Sequence, residues 1–141
     1  MSISIASYSF NKLIAAGKMD VFGYLESCKY RYRLDTADIW NGLMRSTDPD
    51  YARKVREAAD DRGMTVVNYH VDGVHAWEDD PAKREANAQQ AQAHLRVAEI
   101  LGAKTVRIDT GGTVTPMTAE QLDIVAGRFR EYARWADGRG V

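Results

Sequence analysis

The sequence contains a single cysteine, Cys28, among its 141 residues. One cysteine excludes an internal disulfide framework and is typical of a protein in a reducing compartment. No apolar stretch approaches the roughly 18–20 residues that a membrane-spanning helix needs. The N-terminus lacks the basic segment followed by an apolar one that marks a signal peptide. These absences predict a cytoplasmic protein with no membrane partner.

The sequence also has no large excess of positive or negative residues, since the formal net charge is −1 at pH 7. Charges of both signs are mixed along the chain without a charged tail, so we expect no nucleic-acid partner. The chain has neither the Gly-x-Gly-x-x-Gly nor the Walker spacing of nucleotide-binding loops. It also has no Gly-x-Ser-x-Gly nucleophile elbow and no Cys-x-x-Cys pair.

What the sequence does contain is a regular alternation of strand and helix patterns. Period-two alternation or a β-branched centre predicts four strands, at Ser2–Tyr8, Leu34–Trp40, Met64–His70 and Lys104–Asp109. Helical spacing of apolar residues predicts a helix after each strand, at Val21–Tyr30, Pro49–Arg62, Pro81–Leu101 and Thr118–Ala136. The predicted loops are Asn11–Lys18, Asn41–Asp48, Val71–Asp80 and Thr110–Pro116.

The ends of these helices carry residues that favour helix starts and stops. The expected starts are Asp20, Asp48 with Pro49, and Thr118 in a capping box with Gln121. Gly63 and Gly102 are the expected stops of the second and third helices.

The order of strands and helices predicts a parallel α/β sheet with right-handed crossovers. A strand–helix series normally closes as an eight-unit TIM (β/α)8 barrel of about 250 residues. Only four units are predicted here. We therefore expect residues 1–141 to form a single parallel (βα)4 unit, the N-terminal half of a TIM barrel.

The predicted strands present one apolar face and one polar face. Alternation places polar side chains together on one face, namely Ser4, Asp38, Asn68, His70, Arg107 and Asp109. The opposite face is apolar, with Ile3, Ile5, Ala37, Ile39, Val67, Tyr69, Val106 and Ile108. A sheet covered by helices on both faces would read as near-continuous apolar strands, so a barrel with a polar interior fits better.

Asp38 and Arg107 are the charged residues that this interior has to accommodate. An isolated buried charge costs several kcal/mol unless it is paired and hydrogen-bonded. We therefore expect Asp38 and Arg107 to belong to one polar network. Whether such groups only satisfy each other or also contact a substrate is left open by the sequence.

Four segments carry a resemblance to a known family: Ile3–Phe10, Ala37–Trp40, Val67–His70 and Ala98–Ile108. In their order and spacing, the chain resembles the xylose isomerase-like TIM barrels. These are sugar and sugar-phosphate isomerases and epimerases that share their fold with endonuclease IV.

The resemblance implies a divalent metal, Mn, Mg, Co or Zn, in the full-length family member. The family holds this metal with Glu, Asp, His and Glu side chains on strands five to eight, where it polarises a hydroxy-carbonyl substrate. None of those strands is predicted here, so we expect no complete metal site in this chain. The family also often has a glutamate at the end of strand two, where this chain has Trp40.

Active sites of such barrels lie at the C-terminal ends of the strands. The positions there are Tyr8, Trp40, His70 and Asp109, and we expect them to bind substrate. Tyr8 and Trp40 form either an apolar wall against a sugar ring or ordinary barrel packing. His70 lines the pocket, and Asp109 either accepts hydrogen bonds from substrate hydroxyls or caps the following loop. No catalytic residue is assigned.

For four further residues outside the strand ends, we predict only their surroundings. His75 and Trp77 lie in the loop after the third predicted strand and are expected to be solvated, although such loops also carry lids and partner contacts. His94 is expected to pack in or on its helix. Cys28 is expected to be a small buried residue.

Two functions remain open. In the first, the chain is the N-terminal part of a divalent-metal-dependent sugar isomerase or epimerase, inactive by itself, that acts by proton transfer on a small sugar-like substrate. In the second, it is a non-catalytic half barrel that dimerises through its exposed sheet edges and binds a ligand or partner. DNA repair, by analogy with endonuclease IV, is disfavoured by the near-neutral charge.

Overall fold

A computed structural model describes residues 3–112 and 116–141. In these residues, three strands form one open parallel sheet in the order β1-β2-β3, with bounds Thr36–Trp40, Thr65–Val71 and Val106–Ile108. Five α-helices accompany it in the same part of the chain: α1 Asn11–Ala15, α2 Val21–Glu26, α3 Pro49–Asp60, α4 Pro81–Leu101 and α5 Ala119–Ala136. The fold class is therefore α/β, a partial TIM barrel, as predicted.

The predicted second, third and fourth strands are confirmed as β1, β2 and β3, but the predicted first strand is wrong as a regular element. Of that segment, Ser2 lies outside the described residues, and Ala6 makes a single parallel bridge to Asp38. The chain then turns into a 3₁₀-helix over Ser7–Phe10. The predicted loop at 11–18 contains α1, and the predicted loop at 110–116 includes residues 113–115, which also lie outside the described part.

Side chains supply the hydrogen bonds that a regular first strand would have made to β1. The Tyr24 hydroxyl accepts from the Asp38 amide at 2.8 Å and donates to the Ile5 carbonyl at 2.6 Å. The Trp40 amide donates to Ser7 Oγ at 2.8 Å. These bonds satisfy the edge of β1 without a second backbone ladder.

Most helix ends follow the predicted chemistry, although α3 ends at Asp60, before the stop predicted at Gly63. Asp20 Oδ1 accepts from the Gly23 amide at 2.9 Å at the start of α2, and the chain continues beyond α2 as a π-helical turn over Ser27–Arg31. The capping box of Thr118 and Gln121 is present at the start of α5. Other predicted signals are also confirmed, with Asp48 capping α3 and left-handed Gly102 ending α4.

The core lies between the sheet and the helices. Its largest fully buried side chains include Tyr24, Tyr69, Leu25, Ile39 and Leu101. An irregularity in the β1–β2 ladder pairs Ala37 with Val66 but Asp38 with Asn68. Because this bulge inserts one extra residue in β2, Val66 is fully buried and Val67 is only half-buried.

Candidate functional site

The polar face of the sheet presents two rows of side chains across the strands. Residues that pair across parallel strands lie side by side on the same face. Trp40 pairs with His70, and His70 pairs with Arg107, so these three form one row near the C-terminal ends of the strands. Asp38 pairs with Asn68 one step earlier.

His70 and Asp38 form the most enclosed contact between titratable side chains among the described residues of this face. His70 Nε2 lies 2.8 Å from Asp38 Oδ1, and the two side chains are 19% and 16% exposed. Asn68 Nδ2 donates to the same carboxylate oxygen at 3.2 Å. Thr105 Oγ1 in turn donates to Asn68 Oδ1 at 2.8 Å. The carboxylate and its neighbours therefore form a connected polar cluster.

Arg107 belongs to a different cluster. Its guanidinium contacts the carboxylates of Asp72 and Asp109, with Nη1 2.7 Å from Asp109 Oδ1, and its side chain is half exposed. No ion pair or hydrogen bond among the described residues joins it to Asp38. The prediction of one Asp38–Arg107 network is therefore wrong, because each charge finds a nearer partner.

Tyr8 and Trp40 meet edge to face at one end of the row. Their ring centroids lie 5.0 Å apart with an interplanar angle of 86°, a favoured aromatic geometry. The Trp40 indole also lies over Gly42, where an added Cβ would come within 2.2 Å of the ring. Gly42 thus gives the indole the space to turn toward Tyr8, which is 49% exposed.

Asp109 is held in two ways at the other end of the row. Its carboxylate accepts from Arg107, and its backbone carbonyl accepts from the Ala76 amide at 3.1 Å. The loop after β2 is further tied to the loop after β3 by the bond from the Trp77 amide to the Thr110 carbonyl at 2.7 Å. Tyr8 and Asp109 therefore extend at its two ends the row of Trp40, His70 and Arg107, which the strand register sets side by side.

Sequence reasoning missed three residues that organise the loop after β2. Asp72 directly follows the strand and pairs with Arg107. Asn41 bonds both the amide and the carbonyl of Asp72, at 3.1 and 3.0 Å. Glu78 Oε1 lies 2.9 Å from His75 Nδ1, and the His75 side chain is still 38% exposed. The position of Asp72 at a strand end was the available signal.

The side chains described do not fit a metal site. Across residues 3–112 and 116–141, no group of three or more His, Cys, Asp or Glu side chains is placed to hold an ion. Asp38 and His70 face each other and could supply at most two ligands. In the same ranges, no helix is long and apolar enough to cross a bilayer.

Three titratable groups with shifted pKa values lie in the helix-covered core or against it: Tyr69, His94 and Cys28. The Tyr69 hydroxyl lies 2.9 Å from His94 Nδ1, and burial raises the pKa of Tyr69 and lowers that of His94. Cys28 is fully buried, and burial raises the pKa of its thiol. The expected burial of Cys28 is confirmed, and the partly buried His94 packs against Tyr69.

A comparison with known families gives a match, whereas the search of curated proteins finds none. The model of the family described as xylose isomerase-like TIM barrel matches residues 33–141. The matched range contains all three strands and the helices α3 to α5. Trp40, His70 and Asp109 lie inside it, whereas Tyr8 precedes it.

Proposed function

Since the chain belongs to the xylose isomerase-like TIM barrel family, we propose that it forms one wall of the substrate pocket of a sugar isomerase or epimerase. The substrate would be a small hydroxy-carbonyl sugar or sugar phosphate. Tyr8, Trp40, His70 and Asp109 would bind it at the C-terminal ends of the strands, where barrel enzymes place their sites.

The observation that carries this proposal is the His70–Asp38 contact beside the Tyr8–Trp40 pair. Sugars present apolar C–H faces and many hydroxyl groups. An aromatic surface next to hydrogen-bonding side chains can therefore bind them. His70 offers its Nδ1, because its Nε2 faces Asp38, and Asp109 offers carboxylate oxygens to such hydroxyls. The edge-to-face aromatic pair would pack against the sugar ring.

A divalent metal such as Mn, Mg, Co or Zn would polarise the hydroxy-carbonyl group of the substrate in the family reaction. The described residues do not fit such an ion, so we propose that its ligands lie outside them. The role of this chain is then to bind and orient the substrate. We expect it to show no isomerase activity alone with added Mn²⁺ or Mg²⁺, and activity under those conditions would contradict the assignment.

Binding can be tested by saturation-transfer NMR with glucose, fructose and xylose as probes. We expect weak binding of at least one sugar, and we expect His70→Gln and Trp40→Phe to weaken it several-fold. His75→Gln and Trp135→Phe are the matched controls and should leave binding unchanged. Equal loss in the controls, or no loss with His70→Gln, would contradict the proposal.

A second candidate function is a non-catalytic half barrel that dimerises, and the exposed apolar side chains favour it. Those side chains lie in the segment before β1 or in α5: Ile3, Tyr8, Leu13, Tyr30, Tyr32, Leu122 and Ile124. Exposed apolar side chains in the segments that precede and follow the sheet favour contact with another chain or segment. Light scattering should then report a dimer that Leu122→Glu dissociates and Asp123→Asn does not, whereas a monomer at all concentrations would exclude it.

A further inference from the structure

Just beyond their last paired residues, β1 and β2 are joined by a side chain. The pairing of the two strands ends with Trp40 opposite His70. One step further, Asn41 Nδ2 donates to the Asp72 carbonyl at 3.0 Å, and Asn41 Oδ1 accepts from the Asp72 amide at 3.1 Å. A side-chain amide can make both bonds because it carries a donor and an acceptor. The position of the Asp72 backbone therefore depends on Asn41.

Asp72 extends this connection to the third strand. Its carboxylate contacts the Arg107 guanidinium, and Arg107 Nη1 lies 2.7 Å from Asp109 Oδ1. All three side chains are partly exposed, and ion pairs at such positions are weak by themselves. The guanidinium is therefore held firmly only if the backbones that carry the two carboxylates are fixed. The Ala76 amide bonds the Asp109 carbonyl at 3.1 Å, and Asn41 bonds Asp72.

We propose that Asn41 is a positioning residue that acts through Asp72 to fix Arg107, and that Arg107 in turn orients the Asp109 carboxylate toward the substrate. Among the described residues, no hydrogen bond joins Asn41 directly to Arg107 or Asp109, so the effect passes through Asp72. This inference rests on the proposed function, which assigns Asp109 to the substrate. It goes beyond that function by giving a role in binding to a residue outside the row.

Another asparagine provides a matched control, because it holds the same loop after β2 at a different point. Asn87 Nδ2 donates to the His75 carbonyl at 3.1 Å. Asn87→Leu therefore removes a bond to this loop but leaves both bonds to Asp72 intact. Asn41→Leu removes both of those bonds with little change in side-chain size. A difference between the two variants then reports the release of Asp72 rather than a general loosening of the loop.

NMR of the ¹⁵N-labelled chain without ligand tests the positioning step. We expect Asn41→Leu to shift the Arg107 Nε–H resonance and to lower its heteronuclear NOE, because the guanidinium gains motion on the picosecond to nanosecond timescale. The backbone amide of Asp109 should shift as well. Asn87→Leu should leave the Arg107 Nε–H resonance and its NOE unchanged. An unchanged Arg107 signal in Asn41→Leu would overturn the inference.

Fructose titrations test the consequence for binding. We expect Asn41→Leu to weaken fructose binding about five-fold, the loss expected when one hydrogen bond to the ligand is no longer held in place. Asp72→Asn keeps its backbone bonds to Asn41 but loses the charge that faces Arg107, so it should cause a similar loss. The double variant should bind no more weakly than either single variant, because both act through Arg107. Losses that multiply in the double variant would contradict the inference.

The outcomes distinguish this inference from the function on which it rests. If fructose binds and Asn41→Leu binds it as tightly as the unmodified chain does, the positioning role is wrong and the sugar site stands. If the unmodified chain binds none of fructose, glucose and xylose, the proposed function fails. The Arg107 measurement without ligand then still decides whether Asn41 fixes the guanidinium.

Discussion

His94 contacts the buried face of the sheet through a single side-chain bond to Tyr69. Burial lowers the pKa of His94 below its ordinary value of 6.5, so the folded state binds a proton less readily than the unfolded chain. The free energy of unfolding contributed by this group is therefore fully present above pH 6.5. It is lost as the pH falls from there toward the lower folded pKa.

Replacing His94 should reduce the dependence of the free energy of unfolding on pH. We expect the free energy of unfolding of the unmodified chain, measured by urea titration, to decrease between about pH 7.5 and about pH 5.5. His94→Gln keeps a hydrogen-bond acceptor for Tyr69 but does not titrate, so it should show a smaller decrease. His75→Gln is the control and should retain the full decrease. An equally large decrease in the free energy of unfolding of His94→Gln would contradict the account.

Individual residues of the candidate site were predictable to the extent that alternation along a strand decides their face. Alternation placed Trp40 and His70 on the polar face, and the ladder sets them side by side. It could not give the partner of Arg107, because Asp72 lies just beyond β2 and its position depends on the register between strands. Charge pairing across a sheet is a tertiary property that a single strand pattern does not contain.

Among the elements, the predicted first strand shows how side chains can replace a backbone ladder. The Tyr24 hydroxyl is bonded to both the Asp38 amide and the Ile5 carbonyl. Burial also raises the pKa of Tyr24, so its proton stays in place as a donor. An alternating sequence can therefore lie beside β1 without forming a regular strand, and the sequence pattern cannot distinguish the two cases.

Removing this hydroxyl should test its role at the edge of β1. Tyr24→Phe leaves a buried amide and a carbonyl without their partner, which costs about 1–3 kcal/mol of folding free energy. Urea unfolding measures that loss. Tyr30→Phe is the matched control, since Tyr30 is 66% exposed and surface changes usually stay within about 0.5 kcal/mol. Equal effects of the two substitutions would contradict the role given to Tyr24.

Helices were predicted more closely than the first strand because their ends carry local chemistry. Asp48 with Pro49 starts α3, and Gly102 ends α4 in the left-handed conformation. Such signals act within one turn of the helix, so the sequence alone contains them. The π-helical turn Ser27–Arg31 after α2 has no comparable local signal.

For the molecule as a whole, the family match and the open parallel sheet agree on a partial barrel with a polar inner face. The apolar face is covered by helices, whereas the polar face carries the row from Trp40 to Arg107. This division follows from strand alternation, and it explains why the parallel barrel could be predicted before any contact was known. The substrate cannot be read from the same pattern.

The central claim is that the row from Tyr8 to Asp109 is a sugar-binding wall. Its most direct test is to titrate the ¹⁵N-labelled chain with fructose and map the perturbed resonances. The account predicts shifts of the Trp40 indole N–H and of the backbone amides of Tyr8, His70 and Asp109. No shift at these positions, or shifts confined to the helix layer, would contradict it.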